Sequence, residues 1–200
     1  PGWINFDNSQ SINIASSPIK YFVLRKLGFL SPQQIENIKW LKENKISYAD
    51  ASKKLPFNKN EISCIYSSHM LEHLSKKSAQ IFLKECLRVL KPNGVLRLVL
   101  PDLRQLVESY IKNGDAETFL EKSYLGTPSA ETLQDKLKII FQGYRHHQWM
   151  YDAQSLSKIV LENGFKKVVE QKAGVTCIDN YGELNLYERS EESFIIEAFK

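Results

Sequence analysis

The sharpest hydrophobic pattern runs from Glu61 to Asp102. "EISCIYS" (61–67) is rich in β-branched and aromatic residues and predicts a strand. After "SHMLEHL", Ser75 is placed as an N-cap. Ala79, Phe82, Leu83, Cys86, Leu87 and Leu90 then recur at helical spacing, one apolar stripe of a helix. "KPNG" (91–94) ends that helix: Pro92 cannot continue it, and Asn93 or Gly94 tolerates a left-handed turn. "VLRLVL" (95–100) is almost continuously apolar, as in a strand covered on both faces. Strand, helix and strand with short joints form a right-handed parallel crossover.

The remaining pattern extends this plan. "WINFD" (3–7) and "ISYAD" (46–50) are short strands ending at Asp7 and Asp50. Ser31-Pro32 opens a helix carrying Ile35, Ile38 and Leu41. Asp152 caps a helix with Leu156, Ile159 and Val160 that stops at Asn163-Gly164. "KKVVEQ" and "SFIIEAF" predict two late strands paired antiparallel. Residues 103–147 are helical in pieces, with Leu103, Leu106, Val107, Tyr110 and Ile111 sharing one face. "IKYFVLRKLGFL" (19–30) is apolar without an assigned place. The expected fold class is α/β: a mostly parallel sheet with an antiparallel last strand and helices on both faces.

Composition narrows the function classes. The 200 residues suffice for one domain with its own core, and the net charge of +4 is mild. Basic residues occur as scattered pairs such as Lys53-Lys54 and Lys76-Lys77, not as a stripe, so nucleic acid is not an expected partner. Cys64, Cys86 and Cys177 are odd in number and far apart, which favours reduced thiols over disulfides. No apolar run is long enough for a membrane span, and the start lacks a basic-then-apolar leader pattern. A cytoplasmic protein without membrane contact is the expectation.

"SSHMLEHL" (67–74) contains H-x-x-E-H through His69, Glu72 and His73, the inverted zinc-protease pattern. Zinc chemistry would need both histidines on a supported helix and a third ligand. The motif instead begins just past a strand, Ser75 interrupts it, and no third ligand is evident. We therefore expect no metal from this motif. The alternative is a turn anchored by Leu71 and Leu74, with its polar residues facing a cleft.

Ligands of open parallel α/β sheets bind beyond the carboxyl ends of the strands, where Asp7, Asp50, Ser67–His69 and Asp102 fall. Acids there suit a ribose diol and an adenine amine, and "LPF" (55–57) offers apolar walls. The ordered series "DASKKLPFNKNEISCIYSSHMLEHL…FLKECLRVLKPNGVLRLVLPDL", with "HHQWMYDAQSLSKIVLENGFKKV" and "EESFIIEAFK", resembles the class I S-adenosylmethionine-dependent methyltransferases of the small-molecule type. The resemblance covers most of 1–103 and 146–200. It implies one Rossmann-like methyltransferase domain over 1–200, with 103–147 as a helical insertion covering the substrate. Carried over by position, Asp7 would hold the ribose hydroxyls, and Asp50 with the Ala51 backbone the adenine. Ser67, Ser68 and His69 would line the methionine end. The implied cofactor is S-adenosylmethionine, and the implied partner is a small-molecule methyl acceptor such as a sugar or polysaccharide precursor.

A family strand and glycine-rich turn would come ahead of "PGWINFD", so the resemblance leaves the first strand missing from the chain as read. Three explanations stay open: residues upstream of Pro1, a shortened relative acting as a non-catalytic binding module, or a gap filled by a second copy, which would make a homodimer. "IKYFVLRKLGFL" is a further candidate to fill the gap. If the chain is active, His73 and His147 are the candidate catalytic bases, with His146 and Asp102 as further candidates, because imidazole exchanges protons near neutral pH. A dehydrogenase is disfavoured because G-x-G-x-x-G is absent.

Overall fold

The computed structural model describes residues 2–125 and 146–200, with Gln10 described by its backbone alone. The chain separates into two compact units, residues 2–51 and residues 52–125 with 146–200.

In the first unit β1 (Phe6–Asp7) pairs in parallel with β2 (Ser47–Tyr48), placing Phe6 beside Ser47 and Asp7 beside Tyr48. Both strands are shorter than the sequence pattern predicts. Between them run α1 (Gln10–Ala15), α2 (Pro18–Lys26) and α3 (Pro32–Glu43). Ser31 and Gln34 form a reciprocal capping box with Pro32 in the first turn, which is why α3 starts where the sequence says it should. α1 packs on α3, and Ile12, Ile38 and Leu41 are the buried apolar residues of this unit. The unassigned apolar stretch is largely α2, opened by Ser17 and Pro18, so it supplies a helix and not the missing strand. Ile19, Phe22 and Val23 of α2, and Leu27 just past its end, are exposed.

The second unit is built on four strands in the order β3–β4–β6–β5: β3 (Ile62–Ser68), β4 (Leu90–Pro101), β5 (Lys167–Gln171) and β6 (Ser193–Phe199). β3 and β4 are parallel, and β6 is antiparallel to both β4 and β5. The sheet is thus mixed, and the late antiparallel pair falls where the sequence places it. α4 (Lys76–Val89) makes the crossover, capped by the Ser75 hydroxyl, and buries Ala79, Phe82, Leu83, Cys86 and Val89. α5 (Leu103–Asn113), α6 (Ala116–Ser123) and α7 (Ala153–Glu162) complete the described helices of this unit. Of the expected insertion 103–147, the part 126–145 lies outside the described residues. All three cysteines are free thiols. No helix among the described residues is long and apolar enough to cross a membrane.

One boundary differs from expectation. α4 ends at Val89, and Leu90 already pairs with Ile62 on β3, while Val95 pairs with Cys64. The whole of Lys91–Gly94 therefore faces the single residue Ser63 as a wide bulge. Asn93 takes the left-handed turn at φ 64°. Gly94 is required for space: a Cβ there would lie 2.9 Å from the Lys91 carbonyl oxygen and 3.0 Å from that of Ser63.

β4 is buried on both faces from Val95 to Leu100 and carries one charge, Arg97, which is 1% exposed. Its cross-strand partner is Glu197 of β6. Arg97 Nη1 donates to Glu197 Oε1 at 2.7 Å and to the Val175 carbonyl at 2.8 Å. Glu197 also accepts from the Thr176 hydroxyl, the Cys177 N–H and Gln171 Nε2. Burial pushes the Glu197 carboxyl up, but Thr176, Cys177 and Arg97 together hold it below the usual carboxylate range.

Two outcomes are expected. Arg97→Met, which strands the Glu197 charge, should cost about 3–5 kcal/mol in denaturant unfolding, whereas a change in line with an exposed ion pair would refute the account. A carboxyl whose folded pKa is depressed contributes stability above its unfolded pKa and loses it as pH falls through the folded one. Wild type should therefore destabilise more steeply in that acid window than Glu197→Gln. Separately, Gly94→Ala should destabilise by about 1–3 kcal/mol through overpacking, measured by the same unfolding curves.

Candidate active site

The carboxyl ends of the parallel pairs position the candidate residues in two groups. In the first unit Asp7 ends β1 and Asp50 follows β2, so both leave the same end of one parallel pair. Asp7 Oδ1 accepts from the Ser9 N–H at 2.9 Å. Ala51 begins the turn after Asp50, and both are half-buried.

In the second unit Ser67 and Ser68 end β3, and His69 bends the chain through φ 48° while its N–H donates to the Val99 carbonyl of β4. A left-handed histidine at a strand end is strained backbone held by its surroundings, a common property of sites. Its ring is held at both nitrogens. Arg189 donates to Nδ1 at 3.0 Å, so Nε2 carries the proton and donates to Ser193 Oγ at 2.8 Å. Burial, followed by Arg189, brings its pKa down to about 4, so the ring is neutral near neutral pH.

A short 3₁₀ turn, Leu71–His73, follows. Leu71 anchors it in the core, as expected, but the polar residues do not all face a cleft: Glu72 is also 1% exposed. Neither Glu72 carboxylate oxygen has a hydrogen-bond partner among the described residues. His69 Nδ1 lies 3.4 Å from Oε1, yet it presents an acceptor, not a donor. Burial pushes the Glu72 carboxyl up to about 7.

The segment 146–151 is stitched onto this turn. Gln148 and Trp149 N–H groups donate to the Glu72 carbonyl, and Gln148 Nε2 donates to that of His73. His147 is buried, Tyr151 is core, and Trp149 is 41% exposed beneath the Lys76 ammonium. His73 Nδ1–H donates to the His146 carbonyl at 3.2 Å, so a neutral His73 ring keeps its lone pair on Nε2. The His147 ring meets two acceptors, Met150 Sδ at 3.1 Å from Nδ1 and the Ser123 carbonyl. The two rings meet edge to face at 5.1 Å. Burial, then the neighbouring His73, lowers the pKa of His147.

The second unit thus brings His69, Glu72, His73 and His147 together. Asp102, a candidate base, instead caps α5 by accepting from the Arg104 N–H. Sequence reasoning assigned no role to Glu72, Arg189 or Ser193. Glu72 was visible within H-x-x-E-H, but its burial was not.

Residues 30–98 match the family model of the methyltransferase domain. That match bears out the resemblance over this segment, which runs from the start of α3 into β4. No curated protein sequence matches the chain. Among solved structures, a SAM-dependent methyltransferase described as a possible histamine N-methyltransferase, from Thermotoga maritima, is 16% identical; the match covers 82% of this chain and 70% of that one, with a TM-score of 0.48. A SAM-dependent methyltransferase from Archaeoglobus fulgidus is 15% identical over 90% of this chain and 81% of that one, TM-score 0.46. One from Methanosarcina mazei is 18% identical over 78% and 66%, TM-score 0.46.

The hydrogen-bond network assigns two histidine tautomers. Long-range ¹H–¹⁵N correlation spectra above the imidazole pKa range should show His69 as the Nε2–H form and His73 as the Nδ1–H form. The reverse pattern at His73 would mean that the 146–151 segment does not hold this ring as described.

Proposed function

We propose that this chain transfers the methyl group of S-adenosylmethionine to a small-molecule acceptor, a sugar or polysaccharide precursor. The observation that carries this reading is the methyltransferase-domain match over 30–98, together with acids at the carboxyl ends of the strands. The donor set fits a nucleoside. Asp7 would hold the ribose diol, and Asp50 with the Ala51 backbone the adenine edge. Ser67, Ser68 and the backbone of His69 serve the methionine end, since both His69 ring nitrogens are engaged within the protein.

S-Adenosylmethionine supplies an electrophilic methyl group on a sulfonium. The contribution of this chain is then mostly placement, because an in-line displacement is governed by the alignment of the reacting atoms. An acceptor hydroxyl must also lose its proton. We assign the handling of that proton to the Glu72–His73–His147 cluster. α5 and α6 would cover the acceptor.

Calorimetric titration with S-adenosylhomocysteine should show binding that Asp50→Ala weakens at least tenfold, about 1.4 kcal/mol. Transfer of labelled methyl to a panel of monosaccharides and sugar nucleotides should then fall in His147→Gln with cofactor affinity retained. A folded chain that does not bind the nucleoside would overturn the reading. Binding without transfer to any acceptor would make it a binding module instead of an enzyme.

A further inference from the structure

We infer that Glu72, His73 and His147 form a binding site for one divalent transition-metal cation, with zinc the best chemical fit. One oxygen of Glu72 and one ring nitrogen from each histidine lie within 4.8 Å of one another. Two imidazoles and a carboxylate with an open position are a donor set suited to zinc and its neighbours.

A second observation stands apart from this proximity. Glu72 is 1% exposed, and neither carboxylate oxygen finds a donor among the described residues. An ionised carboxylate buried without a partner is costly, and His69 Nδ1, 3.4 Å from Oε1, already accepts from Arg189. A cation between Glu72 and the two imidazoles would supply the missing partner.

The outer contacts are also those of a ligand pair. His73 donates Nδ1–H to a backbone carbonyl, and His147 packs its Nδ1 against a thioether. Such contacts fix the orientation of the two rings. The set differs from the H-x-x-E-H reading, because His147 from a distant part of the chain takes the place of His69. His69 is excluded by its bonds to Arg189 and Ser193.

The site itself does not depend on methyl transfer. Its role does rest on the function proposed above: a cation there would acidify an acceptor hydroxyl bound at the open position, whose proton would pass to solvent, so His73 and His147 would act as ligands and not as proton acceptors.

The test is titration of the complete, tag-free chain with Co²⁺ alone, followed by visible absorption and elemental analysis. One equivalent should bind with the ligand-field bands of a low-coordinate nitrogen–oxygen site, and Zn²⁺ should displace it. Glu72→Gln and His147→Gln should each weaken binding by at least about tenfold, the loss typical even of outer-sphere partners. Lys158→Gln, on the exposed side of α7, should leave it unchanged, and far-UV circular dichroism checks that each variant is folded. Wild type that takes up no stoichiometric Co²⁺ overturns the inference even if both variants fail to fold. Folded variants that bind as tightly as wild type also overturn it. S-Adenosylhomocysteine titrated into the same samples separates the two readings. Nucleoside binding without metal defeats this site alone, and metal binding without nucleoside defeats the proposed function alone.

Discussion

The register between β4 and β6 rests on the Arg97–Glu197 pair, and most of the second unit depends on that register. Side chains alternate faces along a strand, so a one-residue slip would turn Arg97 to the opposite face, away from its carboxylate. The apolar neighbours on β4 are interchangeable as far as register is concerned; the buried charge is not. With Arg97 opposite Glu197, Pro101 falls opposite Ser193. That places the Ser193 hydroxyl where His69 Nε2–H reaches it, so a core ion pair sets the geometry of a turn at the sheet's end. The same carboxylate also gathers Thr176 and Cys177, tying the segment after β5 to the sheet.

The turn after β3 breaks several ordinary rules at once. A non-glycine residue is left-handed, a carboxylate is buried without a donor among the described residues, and a histidine is buried against a thioether. Each arrangement costs free energy that a purely structural turn would avoid, and such violations concentrate where a protein binds or reacts. Nothing comparable surrounds the bulge at Lys91–Gly94, where Asn93 and Gly94 are the residue types the backbone asks for. The contrast separates a local solution to chain geometry from a site maintained at a cost.

Much of the architecture was legible in the sequence because local signals and burial agree. Ser31, Ser75 and Asp152 cap the helices they are expected to cap, and the stripe on α4 is the face it buries. The apolar run 95–100 is the strand covered on both faces, and the last two strands pair antiparallel. Where the reading fell short, short-range and long-range forces competed. Leu90 fits the helical stripe of α4, yet pairing with Ile62 draws it into β4.

The sequence by itself determined the α/β class, the crossover unit, most helix starts and the strand ends at which candidate residues gather, because capping and hydrophobic period act within a few residues of chain. Tertiary structure alone decided the rest. His147 meets Glu72 and His73 across more than seventy positions, and Arg97 finds Glu197 across a hundred. Which imidazole nitrogen keeps its lone pair depends on carbonyls and a thioether that folding brings alongside. Burial, which makes Glu72 an unpartnered carboxylate, is a property of the packed unit and of no single stretch of letters.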